Sequence, residues 1–189
     1  MHIDLAQAAT AIRNGDLVGV PTDTVYGIAA DPFRQEAVER LFTLKGRPGL
    51  KPVALLVASV EQALSLASFN DLAHEMAGEH WPGGLTLVVP RLPSVPDWIG
   101  HPERGTIGVR CPDHEVVLAL LELTGPLAVS SANMTGTPAS VTCEEAENLF
   151  GSDVAGFLEG EATSGEASTV IDLTHPQPVV LRDGPVAPR

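Results

Sequence analysis

A chain of 189 residues with 44% hydrophobic and 19% charged residues suits one globular core and excludes a disordered chain. Its formal net charge of −13 excludes a broad electrostatic footprint on nucleic acid, because phosphate contacts dominate that affinity. No apolar run approaches the roughly 18 residues that span a bilayer, and no basic segment precedes an apolar core at the N-terminus. A cytoplasmic protein without membrane association is expected.

Taken in chain order, the pattern alternates helix and strand. Ile3, Leu5, Ala8, Ala9 and Ile12 recur at helical spacing, and Gly15 is placed to end that helix. The apolar run 17–20 predicts a strand that feeds a polar turn, Pro21-Thr22-Asp23-Thr24, followed by Tyr26 and Gly27. Residues 35–45 predict a helix with Val38, Leu41 and Phe42 as its apolar stripe. The wholly apolar VALLV at 53–57 reads as a strand covered on both faces. Helical patterns at 60–67 and 70–79 stop at Trp81-Pro82-Gly83-Gly84, ahead of a strand at 85–89. A proline-rich loop spans 90–102.

Strands at 106–110 and 127–131 flank a helix for which Asp113 is the expected N-cap. Thr142 with Glu145 predicts a capping box for a helix over 143–150. Strands at 155–158, 168–173 and 179–182 follow, and the polar stretch 159–167 is expected to be a mobile loop. About eight strands with interspersed helices predict one α/β domain over 1–189 with a mixed sheet. Late strands lacking a helix between them are expected to pair antiparallel.

Some residue types narrow the chemistry. Cys111 and Cys143 have no CxxC spacing, so buried structural thiols are expected rather than a zinc site or a disulfide framework. No metal-ligand cluster stands out, and His80 and His101, beside proline-rich breaks, read as surface residues. The only lysines, Lys45 and Lys51, both fall within LFTLKGRPGLKP. Neither GxxxxGK[ST] nor a helix-opening GxGxxG is present, which excludes a P-loop and counts against a dinucleotide fold.

Five segments set polar groups at strand ends or in adjoining turns: 21–27, 45–52, 106–110, 130–140, and the pair 168–172 with 180–184. Ligands in α/β sheets gather where strand ends and loops converge. Each segment alone has an ordinary reading: 130–140 as a plain turn, Arg110 as a surface ion pair, Arg182 as an edge-strand charge. Together they describe a pocket for an anion. Lys45, Arg47 and Lys51 supply cations, and the glycines between them let backbone N–H groups face a phosphate. Each charge-assisted hydrogen bond contributes about 1.5–3 kcal/mol, so four or five can hold a nucleotide.

PTDTVYGIAAD, KGRP…KP, TIGVRCPDH, SSANMTGTPAS, STVIDL and VLRDG, in that order over residues 5–186, resemble the Sua5/YciO/YrdC family of threonylcarbamoyl-AMP synthases. Its paired signature K-x-R and S-x-N stands here as Lys45/Arg47 and Ser131/Asn133. The resemblance implies a YrdC/RibB-like fold, a twisted mixed sheet with a deep concave cavity. It implies synthesis of L-threonylcarbamoyl-AMP and pyrophosphate from ATP, L-threonine and bicarbonate, for N6-threonylcarbamoyladenosine at position 37 of ANN-reading tRNAs.

By position, Lys45, Arg47, Ser131 and Asn133 would be catalytic. Lys45, Arg47, Lys51, Thr106, Ala132, Ser140 and Arg182 would meet ATP. Thr22, Arg110, Ser130 and Ser168 would hold threonine, with Arg110 on its carboxylate. Asp23 and Thr24 would only shape the turn, while Tyr26 packs under the pocket or faces substrate. Mg2+ would travel with ATP without a protein cage. The product would pass to the tRNA threonylcarbamoyl-transferase complex. The acidic balance departs from the basic cavity surface of some short members, so tRNA binding would be weak or indirect. The alternative is an RNA-binding or ribosome-associated member of the fold without synthase activity.

Overall fold

The computed structural model describes residues 1–46 and 53–187. Nine strands among them form one sheet: β1 (Val18–Val20), β2 (Gly27–Ala30), β3 (Ala54–Leu56), β4 (Leu85–Pro90), β5 (Thr106–Arg110), β6 (Leu127–Ser131), β7 (Gly156–Phe157), β8 (Thr169–Asp172) and β9 (Val179–Arg182). Their spatial order is β7-β1-β2-β6-β3-β5-β4-β8-β9. The sheet is mixed as expected: β1–β7, β3–β5 and β4–β8 pair parallel, and the other neighbours antiparallel.

Six helices flank it: α1 (Leu5–Asn14), α2 (Gln35–Leu44), α3 (Val60–Leu64), α4 (Asp71–His80), α5 (Glu115–Thr124) and α6 (Cys143–Phe150). On one face, Ala37 and Leu41 of α2, Ala63 of α3 and Met76 and Ala77 of α4 cover Leu55, Leu87, Val109 and Ile171. Ala8, Ala9 and Ile12 of α1 join Val117, Leu120 and Leu121 of α5 in a second apolar cluster with Val18, Val20 and Leu127. Helix boundaries hold to within a few residues at α2, α4 and α6, and α6 carries the expected Thr142–Glu145 box.

Several expectations change. β2 was not predicted; its sequence, GIAA, lacks the branched and aromatic residues that mark strands. Helix α1 starts only at Leu5, because Asp4 accepts from Gln7 N in a capping box and Ile3 N–H pairs outward with Phe157 O. The N-cap of α5 is His114 rather than Asp113, with no side-chain cap bond. Helix α3 ends at Leu64, short of the expected 67. The 159–167 stretch is tied down: Ala162 N donates to Val141 O at 2.7 Å and Ser164 N to Asp23 O at 3.1 Å. Strand β3 is not covered alike on both faces, since Ala54 and Leu56 help line a cavity.

That cavity lies against the central strands because strand periodicity sorts side chains by face. On β5, Thr106, Gly108 and Arg110 face the cavity, while Ile107 and Val109 enter the core. Thr86 and Val88 do the same on β4, as do Val170 and Asp172 on β8.

Candidate active site

The cavity measures about 390 Å³, within the range of about 300–1,000 Å³ usual for small-molecule sites. Seven of the sequence-predicted residues line it: Thr22, Thr106, Arg110, Ser130, Ser131, Ser168 and Arg182. Lys45 and Asn133 adjoin it through Ser131. Lys45 Nζ donates to Ser131 O and, at 2.5 Å, to Asn133 Oδ1, which also accepts from Ser131 Oγ at 2.7 Å. A lysine only 1% exposed is stable when such oxygens replace its water.

Ala132 and Ser140 are not among the lining residues. They belong to a backbone ladder behind the wall: Ala132 N donates to Tyr26 O, Tyr26 N to Ser140 O and Ser140 N to Ala132 O, all at 2.8–2.9 Å. The ladder fastens the 22–26 turn to the 130–140 loop. Arg47 and Lys51 lie outside the described residues.

Within the turn, the structure redistributes the work. Thr22 Oγ1 donates to Val25 O at 2.7 Å and accepts from Val25 N and Thr24 N, so its hydroxyl closes the turn even as the residue lines the cavity. Asp23 and Thr24, expected only to shape backbone, instead hold Arg110. Arg110 Nη2 donates to Asp23 Oδ1, Nη1 to Thr24 Oγ1 at 2.7 Å, and Nε to Gly83 O at 2.9 Å. Arg110 is therefore a buried ion pair rather than a surface one, with side-chain exposures of 6% and 13% for arginine and aspartate. Burial pulls its pKa down; Asp23 opposes that shift and Arg182 adds to it.

Tyr26 packs beneath the site. It is fully buried, and its hydroxyl donates to Leu158 O at 2.6 Å.

Arg182 is more than an edge charge. Its Nε donates to Ser168 O at 2.8 Å and its Nη2 to Ser168 Oγ at 2.9 Å, while Thr86 Oγ1 lies 2.8 Å from the same hydroxyl. Gly184 permits this: a Cβ there would sit 2.4 Å from both Ala167 O and Thr169 N, so only glycine lets the chain lie flat over Ser168.

Four polar lining residues carried no role in the sequence reading: Thr86, His101, Arg104 and Asp172. Thr86 had a signal, the lone polar residue in an otherwise apolar strand, and Asp172 fell within the polar segment 168–172. His101, read as a surface residue, turns a ring nitrogen inward, where Nδ1 is buried without a partner among the described residues. Both cysteines are buried and free, as expected.

The family model described as telomere recombination, for Sua5/YciO/YrdC proteins, matches residues 10–184. A Mycobacterium tuberculosis protein named provisionally as a threonylcarbamoyl-AMP synthase is 44% identical over 185 residues, 97% of this chain and 85% of its own. The crystal structure of Pyrococcus abyssi Sua5 complexed with L-threonine matches with a TM-score of 0.89 at 41% identity, over 95% of this chain and 54% of that one. The present chain thus spans about half of that relative. Escherichia coli YciO matches with the same TM-score at 26% identity, over 97% of this chain and 93% of its own. The chain belongs to the Sua5/YciO/YrdC family.

Proposed function

We propose that this protein is an L-threonylcarbamoyladenylate synthase, a nucleotidyltransferase that joins ATP, L-threonine and bicarbonate and releases pyrophosphate. One observation carries the reading. A single cavity is bordered by the Lys45–Ser131–Asn133 cluster and by two guanidiniums, Arg110 and Arg182, on different strands. Separate cationic corners suit an amino acid carboxylate and a nucleotide held side by side. The names of the relatives, and the threonine in the Pyrococcus structure, support the same substrates.

In this reading the threonine amine condenses with bicarbonate, losing water, to give a carbamate. A carbamate oxygen then attacks the α-phosphorus of ATP, and the bond to the β-phosphate oxygen breaks. No covalent enzyme nucleophile is needed. Catalysis comes from holding the two substrates in line and from cations facing the charge that grows on pyrophosphate. Lys45 and Arg47 take that role; Ser131 and Asn133 orient Lys45 and contact the bound nucleotide. Thr106, Arg182 and Lys51 complete the ATP site, with Ala132 and Ser140 holding its wall from behind. Thr22, Arg110, Ser130 and Ser168 hold threonine.

Magnesium enters on ATP, held by phosphates and water. Among the described residues no three His, Cys, Asp or Glu side chains converge to hold a cation. Asp23 is committed to Arg110, and Asp172 Oδ1 accepts from Thr174 N and Oγ1. In this reading the ion's ligands are the ATP phosphates and water. The product is expected to serve the tRNA threonylcarbamoyl-transferase complex that modifies adenosine 37.

The test is pyrophosphate release by the pure protein with ATP, bicarbonate and L-threonine, with mass detection of the adenylate. Release must depend on threonine; threonine-independent release overturns the reading. Lys45→Ala and Arg47→Ala, checked for native circular dichroism, are each expected to lower turnover at least about 100-fold.

A further inference from the structure

We propose that Asp23 is a positioning residue for amino acid recognition, fixing the Arg110 guanidinium from behind so that it offers one fork to a carboxylate. The proposal rests on the threonine reading of the cavity given above.

Arg110 lines the cavity and Asp23 does not, so the aspartate reaches the ligand only through the arginine. A guanidinium carries five N–H groups in a plane. The protein takes three of them: Nε by Gly83 O, one on Nη1 by Thr24 Oγ1 and one on Nη2 by Asp23 Oδ1. Among the described residues that leaves one N–H on each terminal nitrogen for a carboxylate.

The brace is itself held. Asp23 O accepts from Ser164 N at 3.1 Å, and Thr24 O accepts from Ser164 Oγ at 3.3 Å, so the 159–167 stretch pins the turn from outside. Thr22 Oγ1 closes it from inside, at 3.0 Å from Thr24 Oγ1. Neither brace residue is free to follow a ligand. Asp23 also neutralises one charge where Arg110 and Arg182 face the same space. Without it, the buried Arg110 guanidinium would face Arg182 uncompensated and lose one of its three anchors.

Asp23→Asn separates charge from shape, because it keeps an acceptor oxygen of the same size. The experiment measures KM for threonine and for ATP, kcat, and threonine binding by calorimetry without ATP. The expected result for Asp23→Asn is a rise of about tenfold or more in threonine KM and Kd, with ATP KM within about twofold. Asp23→Glu, retaining the charge on a longer arm, is expected to recover part of the threonine affinity.

An Asp23→Asn protein with wild-type threonine KM overturns the proposal. So does a parallel rise in both KM values, which would mark a merely structural role. If Asp23→Asn fails to fold, Thr24→Val decides, since it removes the Nη1 acceptor while keeping the side-chain shape. A threonine-selective rise of about threefold or more supports the brace, and an unchanged KM overturns it. A wild-type protein that binds no threonine overturns the threonine reading itself, and this proposal with it.

Discussion

Tyr26 is the chain's one tyrosine, and it spends its hydroxyl on the Leu158 carbonyl rather than on the cavity. Burial, with Cys143 and Glu159 adding to it, pushes the phenol well above its ordinary pKa. Tyr26→Phe leaves that buried carbonyl unpaired, so stability is expected to fall by about 1–3 kcal/mol in denaturant titration. Threonine KM should stay within about twofold, because the ring remains in place. Cys111 gives a pH prediction. Burial pushes its thiol up to about 11. Unfolded, a thiol loses its proton near about 8.5, so the unfolded chain binds fewer protons between the two values. Stability is then full below about pH 8.5 and declines toward pH 11 by up to about 1.4 kcal/mol per unit for this group. The denaturant midpoint measured across that range checks it, and Cys111→Ala should flatten the slope. At this scale the sequence identified which turn mattered but read Asp23 and Thr24 as shaping backbone where they hold Arg110. Spacing alone could not reveal that Asp23 and Thr24 hold Arg110, because the contact joins strand ends far apart in the chain.

Elements were legible where periodicity was strong. The helices 35–45, 70–79 and 143–150 and the strands at 85–89, 106–110 and 127–131 stand close to where their apolar patterns put them. What failed was short or locally ambiguous. β2 is four residues of Gly, Ile and Ala, and its glycine is required by close approach: a Cβ on Gly27 would lie 2.6 Å from Val129 Cγ1 across the β6 pairing. Packing between strands selected that residue, and a single sequence does not display it. The Asp113/His114 error is a one-residue slip at a helix boundary, where the cap carries no side-chain bond to announce itself. Gly184 supplies the prediction proper to this scale. Gly184→Ala forces the segment after β9 away from Ser168, and is expected to lower stability by about 1–3 kcal/mol. ATP KM should rise with it, since Arg182 loses the geometry of its two bonds to Ser168. Unfolding curves and steady-state kinetics on the same preparation test both halves.

For the whole molecule, the mixed sheet followed from the alternation of elements, but the strand order did not. β3 sits between β5 and β6, and β4 pairs with β8, which no local pattern encodes. The net charge of −13 acts at this scale too. The chain is expected to leave unmodified tRNA unretained in a filter-binding assay at about 150 mM salt. Retention that weakens steeply with added salt would mean instead that a local basic patch outweighs the acidic surface.

The strand order also governs when the protein becomes competent to bind. Thr22 comes from near one end of the chain and Arg182 from near the other, and both face one cavity. Contacts of such wide sequence separation are closed against a large loop entropy, so they belong among the later events of folding. The cavity wall is incomplete until β8 has joined β4 and β9 has joined β8. Ligand affinity thus belongs to the finished chain alone, and substrate in solution selectively stabilises molecules whose assembly is complete.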